Sequence, residues 1–173
     1  MKVKKALDDY LESVILSEDA KKFLIAREIF RGIHCRHLYE AVIPVVVLGV
    51  SAPVLFGIKI GVTRSKILLK GFVALLSIST LLMVYFLVGD FWRRRTEKLL
   101  DVSAVQLGIN YAQGGVEFYD KALQRHVALR ELMPDGKKLY NLKGESFPSL
   151  FREKHVPTSK RRDYCKAILA ESK

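Results

Sequence analysis

Two uninterrupted apolar stretches dominate the pattern of hydrophobic and polar positions along the chain. From Ala41 to Ile58 run 18 residues without a charge, and from Gly71 to Gly89 run 19. At about 1.5 Å of rise per residue, each helix would span roughly 27–29 Å, close to the ~30 Å hydrocarbon core of a bilayer. The competing reading is a pair of core helices in a soluble protein. A chain of 173 residues would struggle to surround two helices that are apolar on every side. The pattern therefore predicts an all-α membrane protein built on a hairpin of two transmembrane helices. Pro53 removes one backbone hydrogen bond and is expected to kink the first span near Gly49. Gly49, Pro53 and Gly57 share a stripe at four-residue spacing, and Ala74 and Ser77 give the second span a small-residue face, so close packing is expected. Neither span contains Asp, Glu, Lys, Arg or His. That argues against a proton relay or an ion path lined by charges, and leaves open a pore made with partner chains.

Helical periodicity continues on both sides of the hairpin. Leu7, Leu11, Val14 and Ile15 form a short apolar stripe. Ser17 reads as an N-cap, with Glu18 and Asp19 in the first turn where negative charge suits the helix dipole. Phe23, Ala26, Phe30 and Ile33 then recur at three- and four-residue spacing. After the second span Leu100, Ala104, Leu107 and Tyr111 continue a stripe, Gly114-Gly115 is expected to interrupt it, and Val116, Tyr119, Leu123 and Val127 resume it. Pro134-Asp135-Gly136 marks a turn. Leu139-Tyr140 and Phe147-Pro148 flank Lys143-Gly144 as a short β-hairpin. Thr158 or Ser159 is expected to cap a last helix with Tyr164, Ile168 and Leu169 on one side. Six regions follow: an N-terminal amphipathic helical region (1–37), transmembrane helix 1 (38–63), a basic loop (64–70), transmembrane helix 2 (71–92), a helical extramembrane region (93–133) and a basic C-terminal region of turns (134–173). No internal repeat is present.

Charge adds an orientation. The net charge is +11, and the excess is uneven: residues 41–89 hold four basic and no acidic groups, and residues 134–173 hold ten basic and five acidic. Tyr85, Phe91 and Trp92, followed by Arg93, Arg94 and Arg95, have the composition of interfacial anchors. Nine basic residues flank the hairpin outside (Lys21, Lys22, Arg27, Arg31, Arg36, Arg93, Arg94, Arg95 and Lys98) against four in the loop. That asymmetry places both termini on the positive-inside face. The basic tail suits anionic lipid such as cardiolipin; no aromatic-and-basic signature for single strands favours nucleic acid. Cys35 and Cys165 lack paired spacing, so no disulfide framework is suggested. There is no Asn-x-Ser/Thr site, and Met1 to Asp9 is neither a signal peptide nor an arginine-rich transit peptide.

Few residues suggest chemistry. His34, Cys35 and His37 are a metal-capable trio, but on a helix Cys35 points about 100° away from His34 and no fourth ligand is evident. Glu117, Asp120 and His126 lack a nucleophile, a phosphate-cradling loop or a metal pair, so they read as solvated helix charges. The chain is accordingly expected to be no enzyme and to need no cofactor. Gly114-Gly115 costs a helix roughly 1–2 kcal/mol against alanine, and either close helix approach or a partner-docking notch would offset it.

The ordered series Gly114-Gly115-Val116-Glu117-Phe118-Tyr119, Leu129-Arg130, Lys138-Leu139-Tyr140, Leu150-Phe151-Arg152, Lys154-His155 and Arg161-Arg162-Asp163 resembles the C-terminal region of the transmembrane protein 177 family. Leu16-Ser17, Ala20, Lys22-Phe23 and Ala26-Arg27-Glu28 resemble the stretch leading into that family's hairpin. The resemblance covers nearly the whole chain from about Leu16. It implies a multi-pass protein of the mitochondrial inner membrane, where the charge asymmetry would put both termini in the matrix. It also implies a non-catalytic factor that assembles or stabilises newly made cytochrome c oxidase subunit 2, beside that subunit's chaperone. Gly114, Gly115, Glu117, Phe118, Tyr119, Arg161, Arg162 and Asp163 then become the expected partner interface. A channel or transporter subunit, or a membrane tether for ribosome or RNA, are the alternatives. Typical members carry a long region ahead of the first match, whereas this chain begins close to it. A shortened form, an incomplete gene model or a lineage without that region would each account for this.

Overall fold

Every described stretch of regular structure is helical in the computed structural model, which describes residues 2–33, 67–147 and 155–171 and positions 41, 42, 44–46, 49 and 56. The helices are α1 (Lys2–Val14), α2 (Glu18–Ile33), α3 (Ile67–Val105), α4 (Ile109–Leu132), the single turn α5 (Gly136–Leu139) and α6 (Thr158–Glu171). The chain divides into two compact units, one of Met1–His34 with Arg94–Lys173, the other of Cys35–Arg93.

Within the second unit, α3 carries the apolar run. Among the described residues one helix, Gly71–Val105, is long and apolar enough to cross a membrane, and its apolar stretch is unburied. Three of its hydroxyls bond within the helix: Ser77 donates to the Val73 carbonyl at 2.7 Å, Ser79 to Leu75 and Thr80 to Leu76, both at 2.9 Å. A helix that pairs its own polar atoms in this way suits a solvent that cannot hydrogen-bond. Ala74 is exposed and Gly49 has open space around it. Pro53 and Gly57, the rest of the expected helix-packing stripe, lie outside the described residues.

In the first unit α1, α2 and α6 all pack on α4. Small residues make the contacts short: Ala20, Ala26, Ala104, Ala112 and Ala128 are all buried, with Phe23, Leu100, Tyr119 and Cys165 filling the space between them. α3 continues past Trp92-Arg93 to Val105. The break in the apolar stripe falls at 106–108 and not at the two glycines: Gly108 has φ of 152° and its carbonyl accepts the Tyr111 and Ala112 amides of α4, both at 3.1 Å. Gly114-Gly115, expected to interrupt the stripe, does not interrupt α4. The helix continues because the glycines let α2 approach: a Cβ on Gly114 would overlap the Asp19 carbonyl, and one on Gly115 would lie 3.0 Å from the Phe23 ring and 3.1 Å from the Cys165 sulfur.

The stripe of Leu7, Leu11 and Val14 on α1, with Ile15 just beyond it, is exposed, and the helix buries Ala6 and Ser13. One further expectation changes. The expected β-hairpin is reduced to one antiparallel bridge, Tyr140 with Ser146, and no strand forms among the described residues. Two backbone hydrogen bonds frame the bridge, from the Phe147 amide to the Leu139 carbonyl at 3.0 Å and from the Asn141 amide to the Glu145 carbonyl at 2.8 Å, and α5 ends directly before Tyr140. Asn141 organises the turn by accepting the amides of Lys143 and Glu145 at 2.8 and 3.0 Å, and Gly144, with φ of 77°, presses against the Leu123 carbonyl. His126 stacks on Tyr140 with ring centroids 4.5 Å apart and meets the Gly144 carbonyl at 2.8 Å. α6 is capped by neither Thr158 nor Ser159. The Glu145 carboxylate accepts both of their amides, at 3.0 and 2.5 Å, and supplies the negative charge a helix N-terminus favours.

Candidate functional site: a buried carboxylate hub

The best-defined cluster of polar groups in the first unit centres on Asp101. It sits on the buried side of α3, between Leu100 and Ala104, and is 1 % exposed. An isolated carboxylate there would be costly, so the surrounding helices supply donors. From α2, Arg27 donates through Nε at 2.9 Å. Tyr119 of α4 gives its hydroxyl hydrogen at 2.6 Å. Arg161 of α6 grips both carboxylate oxygens, through Nε at 2.7 Å and Nη2 at 2.8 Å. The Arg161 guanidinium also lies 4.9 Å from the Tyr119 ring centroid, and that ring meets Phe23 edge-on at 5.9 Å.

Glu97, one helical turn before Asp101, extends the hub. It accepts the Val156 amide at 3.0 Å and pairs with His155 Nδ1 at 2.6 Å, and Arg161 Nη1 stands 4.0 Å away. Two arginines therefore face two carboxylates, and the buried charge balances. Burial and the Asp101 charge push the Tyr119 hydroxyl well above its ordinary range, so it stays a donor. Burial alone would lower the Arg161 pKa, but its hydrogen bonds to Asp101 outweigh this and hold it charged. Burial, then the nearby Asp101 charge, pushes the Cys165 thiol up to about 12. It remains a neutral thiol at ordinary pH and a poor nucleophile.

A second polar row runs along α4 at four-residue spacing. Glu117 accepts the Ser17 amide at 3.1 Å and the Ser17 hydroxyl, while Ser17 Oγ accepts the Ala20 amide at 3.2 Å as N-cap of α2. The Ser17 hydroxyl hydrogen bond is the main reason the Glu117 carboxyl lies below its usual range. Lys121 donates to the Ile15 carbonyl, and Arg125 to the Ser13 carbonyl at 3.0 Å. The row thereby satisfies the end of α1 and the start of α2, backbone groups that no helix can pair for itself. Beside it an open groove of about 450 Å³ is lined by Gln113, Val116, Asp120, Gln124 and Leu169.

Comparison with curated proteins gives three informative matches. The chain is 36 % identical over 159 residues to transmembrane protein 177 of Danio rerio, covering 87 % of this chain and 50 % of that protein. It is 34 % identical over 159 residues to the Homo sapiens protein of the same name, with the same coverage of 87 % and 50 %. With the Xenopus laevis protein, also of that name, identity is 31 % over 164 residues, covering 92 % and 53 %. The chain belongs to the transmembrane protein 177 family. It spans about half the length of the curated relatives it matches. No protein-family model and no solved structure matches it.

The residues singled out by resemblance to the transmembrane protein 177 family are distributed unevenly. Gly114, Gly115, Tyr119 and Arg161 are taken up by contacts within the bundle, so the notch expected at the two glycines is filled by the chain's own α2. Phe118 packs on Phe23 with ring centroids 6.2 Å apart, and Glu117 holds the α1–α2 joint. Arg162 is at the surface, paired with Asp120 at 3.1 Å and Asp163 at 3.0 Å, and those carboxylates raise its pKa. Trp92 and Arg95 are exposed, and Arg93 and Arg94 partly so. Among the described residues no group of three or more His, Cys, Asp and Glu could hold a metal ion; the His34, Cys35 and His37 trio lies outside them. Sequence reasoning passed over Asp101, Glu97 and Glu145. Asp101 and Glu97 carried a signal: two acids at i and i+4 beside Leu100 and Ala104, on the face that the periodicity had assigned to the core.

Proposed function

We propose that this chain is a non-catalytic factor of the mitochondrial inner membrane that stabilises newly made cytochrome c oxidase subunit 2, working with that subunit's assembly chaperone. Membership of the transmembrane protein 177 family supports the reading. The single structural observation behind it is the long apolar helix Gly71–Val105, whose apolar stretch is unburied. That surface suits lipid or another membrane helix. The hub of the first unit consumes its donors and acceptors in internal pairs, the arrangement of a scaffold that presents surfaces.

In this reading the stretch around Ala41–Ile58 forms the other arm of a two-helix transmembrane hairpin. Both termini face the matrix, with Lys59–Lys70 in the intermembrane space. Arg93, Arg94 and Arg95 meet the anionic headgroups of lipids such as cardiolipin. The decisive experiment is pulse-chase labelling of mitochondrial translation products in cells lacking the protein. Subunit 2 should be made at the normal rate and turn over faster, and re-expression should restore its lifetime. Normal subunit 2 turnover and normal oxidase assembly in the absence of the protein and of redundant factors would overturn the proposal.

A further inference from the structure

Among the described residues, nothing covers the apolar stripe of α1. Val3, Leu7, Leu11 and Val14 are 67, 47, 55 and 50 % exposed, and Ile15 just beyond them 71 %. At 100° per residue the four α1 positions fall within an arc of about 80°, so they form one ridge. α1 is fixed to α4 through a different side, by Ala6 and Ser13, with Arg125 and Lys121 pinning its C-terminal end. The ridge is therefore held outward by the fold. A ridge of this kind exposes on the order of 500 Å² of apolar surface, near the upper limit for a monomer's largest patch. Two such faces together reach about 1,000 Å², the lower bound for a specific interface.

Charge selects the occupant. The exposed charges of α1 are segregated, with Lys4 and Lys5 in its first half and Asp8 and Glu12 in its second. α1 has three lysines and three acids, so it gains no net attraction to an anionic bilayer. A parallel copy of the helix would set lysine on lysine and acid on acid. An antiparallel copy matches both properties at once. With a twofold axis near Leu7, Val3 packs against Leu11 of the partner copy, and Lys4 comes within reach of the partner copy's Asp8. One surface then serves both sides, as an isologous dimer requires.

We propose that this face of α1 is a self-association surface, and that its occupant is α1 of a second copy of the chain in antiparallel contact. The inference does not depend on the assembly role proposed above. It is tested on the full chain, purified in mild detergent at low salt, by sedimentation across a concentration series. Wild type is expected to form a dimer, and Leu7→Glu should raise the dissociation constant at least about thirtyfold, the effect of losing a central anchor. Lys4→Asp and Asp8→Lys should each weaken the dimer a fewfold by creating like-charge pairs. The double swap Lys4→Asp with Asp8→Lys should restore it, as should mixing the two single variants. All these positions are exposed, so helix content by circular dichroism should stay at the wild-type value. A monomeric wild type, a dimer indifferent to Leu7→Glu, or charge swaps that fail to compensate would overturn the proposal. Protection of α1 amides by vesicles without self-association would do the same and assign the ridge to lipid.

Discussion

A single carboxylate decides much of the first unit's stability, because Asp101 receives donors from three other helices. Replacing both partners of a buried ion pair by apolar groups is often neutral, whereas removing one leaves the others unpaired in a medium that cannot solvate them. Asp101→Asn keeps the volume but leaves Arg27 and Arg161 with a neutral acceptor. It should cost about 3–5 kcal/mol in denaturant unfolding of the solubilised chain. Tyr119→Phe removes one charge-assisted hydrogen bond and should cost less, about 1.5–3 kcal/mol. Equal effects would mean that the hydroxyl, not the carboxylate, organises the hub. Gly114 and Gly115 make a second contrast at this scale. In an isolated helix Gly→Ala would gain about 1 kcal/mol, but Gly114→Ala places its methyl into the immovable Asp19 carbonyl, while Gly115→Ala meets the Phe23 ring and the Cys165 side chain. Both should lower the melting temperature, Gly114→Ala more, and Gly115→Leu should exceed Gly115→Ala.

Between elements, the joint of α1 and α2 is held by Glu117 and the docking of α6 is reported by Cys165. The Glu117 carboxyl is depressed in the folded state. Its contribution is therefore present above the unfolded carboxyl value of about 4.5 and is lost as pH falls through the lower folded value. Backbone amides of residues 15–21 should exchange faster in acid once intrinsic rates are corrected, and Glu117→Gln should show that acceleration already at pH 7. An unchanged pattern in the variant would assign the joint to Lys121 and Arg125 alone. Cys165 titrates in the opposite sense. Burial pushes its pKa up to about 12, so any pH dependence appears as stability lost between the usual thiol range near 8.5 and that value. At neutral pH, in a Cys35→Ser background, maleimide should label Cys165 only as fast as α6 undocks. Labelling at the rate of a free thiol would show that α6 is open in solution.

For the whole molecule, the charge asymmetry across the proposed hairpin gives a topology that proteolysis can read. Protease added to mitoplasts should cut in the 59–70 loop and leave a C-terminal epitope protected, because nine flanking cations outweigh four. Release of the tail by that treatment would invert the assignment. The unburied apolar stretch of α3 and the exposed ridge of α1 also predict that the chain needs detergent or lipid to remain dispersed.

What the sequence determined by itself is whatever depends on near neighbours. A run of 19 uncharged residues must leave water as a helix, and Ser17 ahead of two acids must start one, because three- and four-residue contacts and capping act within a single turn. Side choice was harder to read. The α1 stripe points outward because Ala6 and Ser13, not the leucines, let the backbone approach α4. Gly114-Gly115 stays helical because a distant backbone carbonyl needs the space. The tertiary structure alone decided who pairs with whom: Arg27 with Asp101 across 74 positions, Arg161 with Asp101 across 60, Ser17 with Glu117 across 100. The physical reason is that a buried charge is tolerable only where its counter-charge arrives. That arrival is fixed by the packing of several helices around α4, and no local period along the chain encodes it.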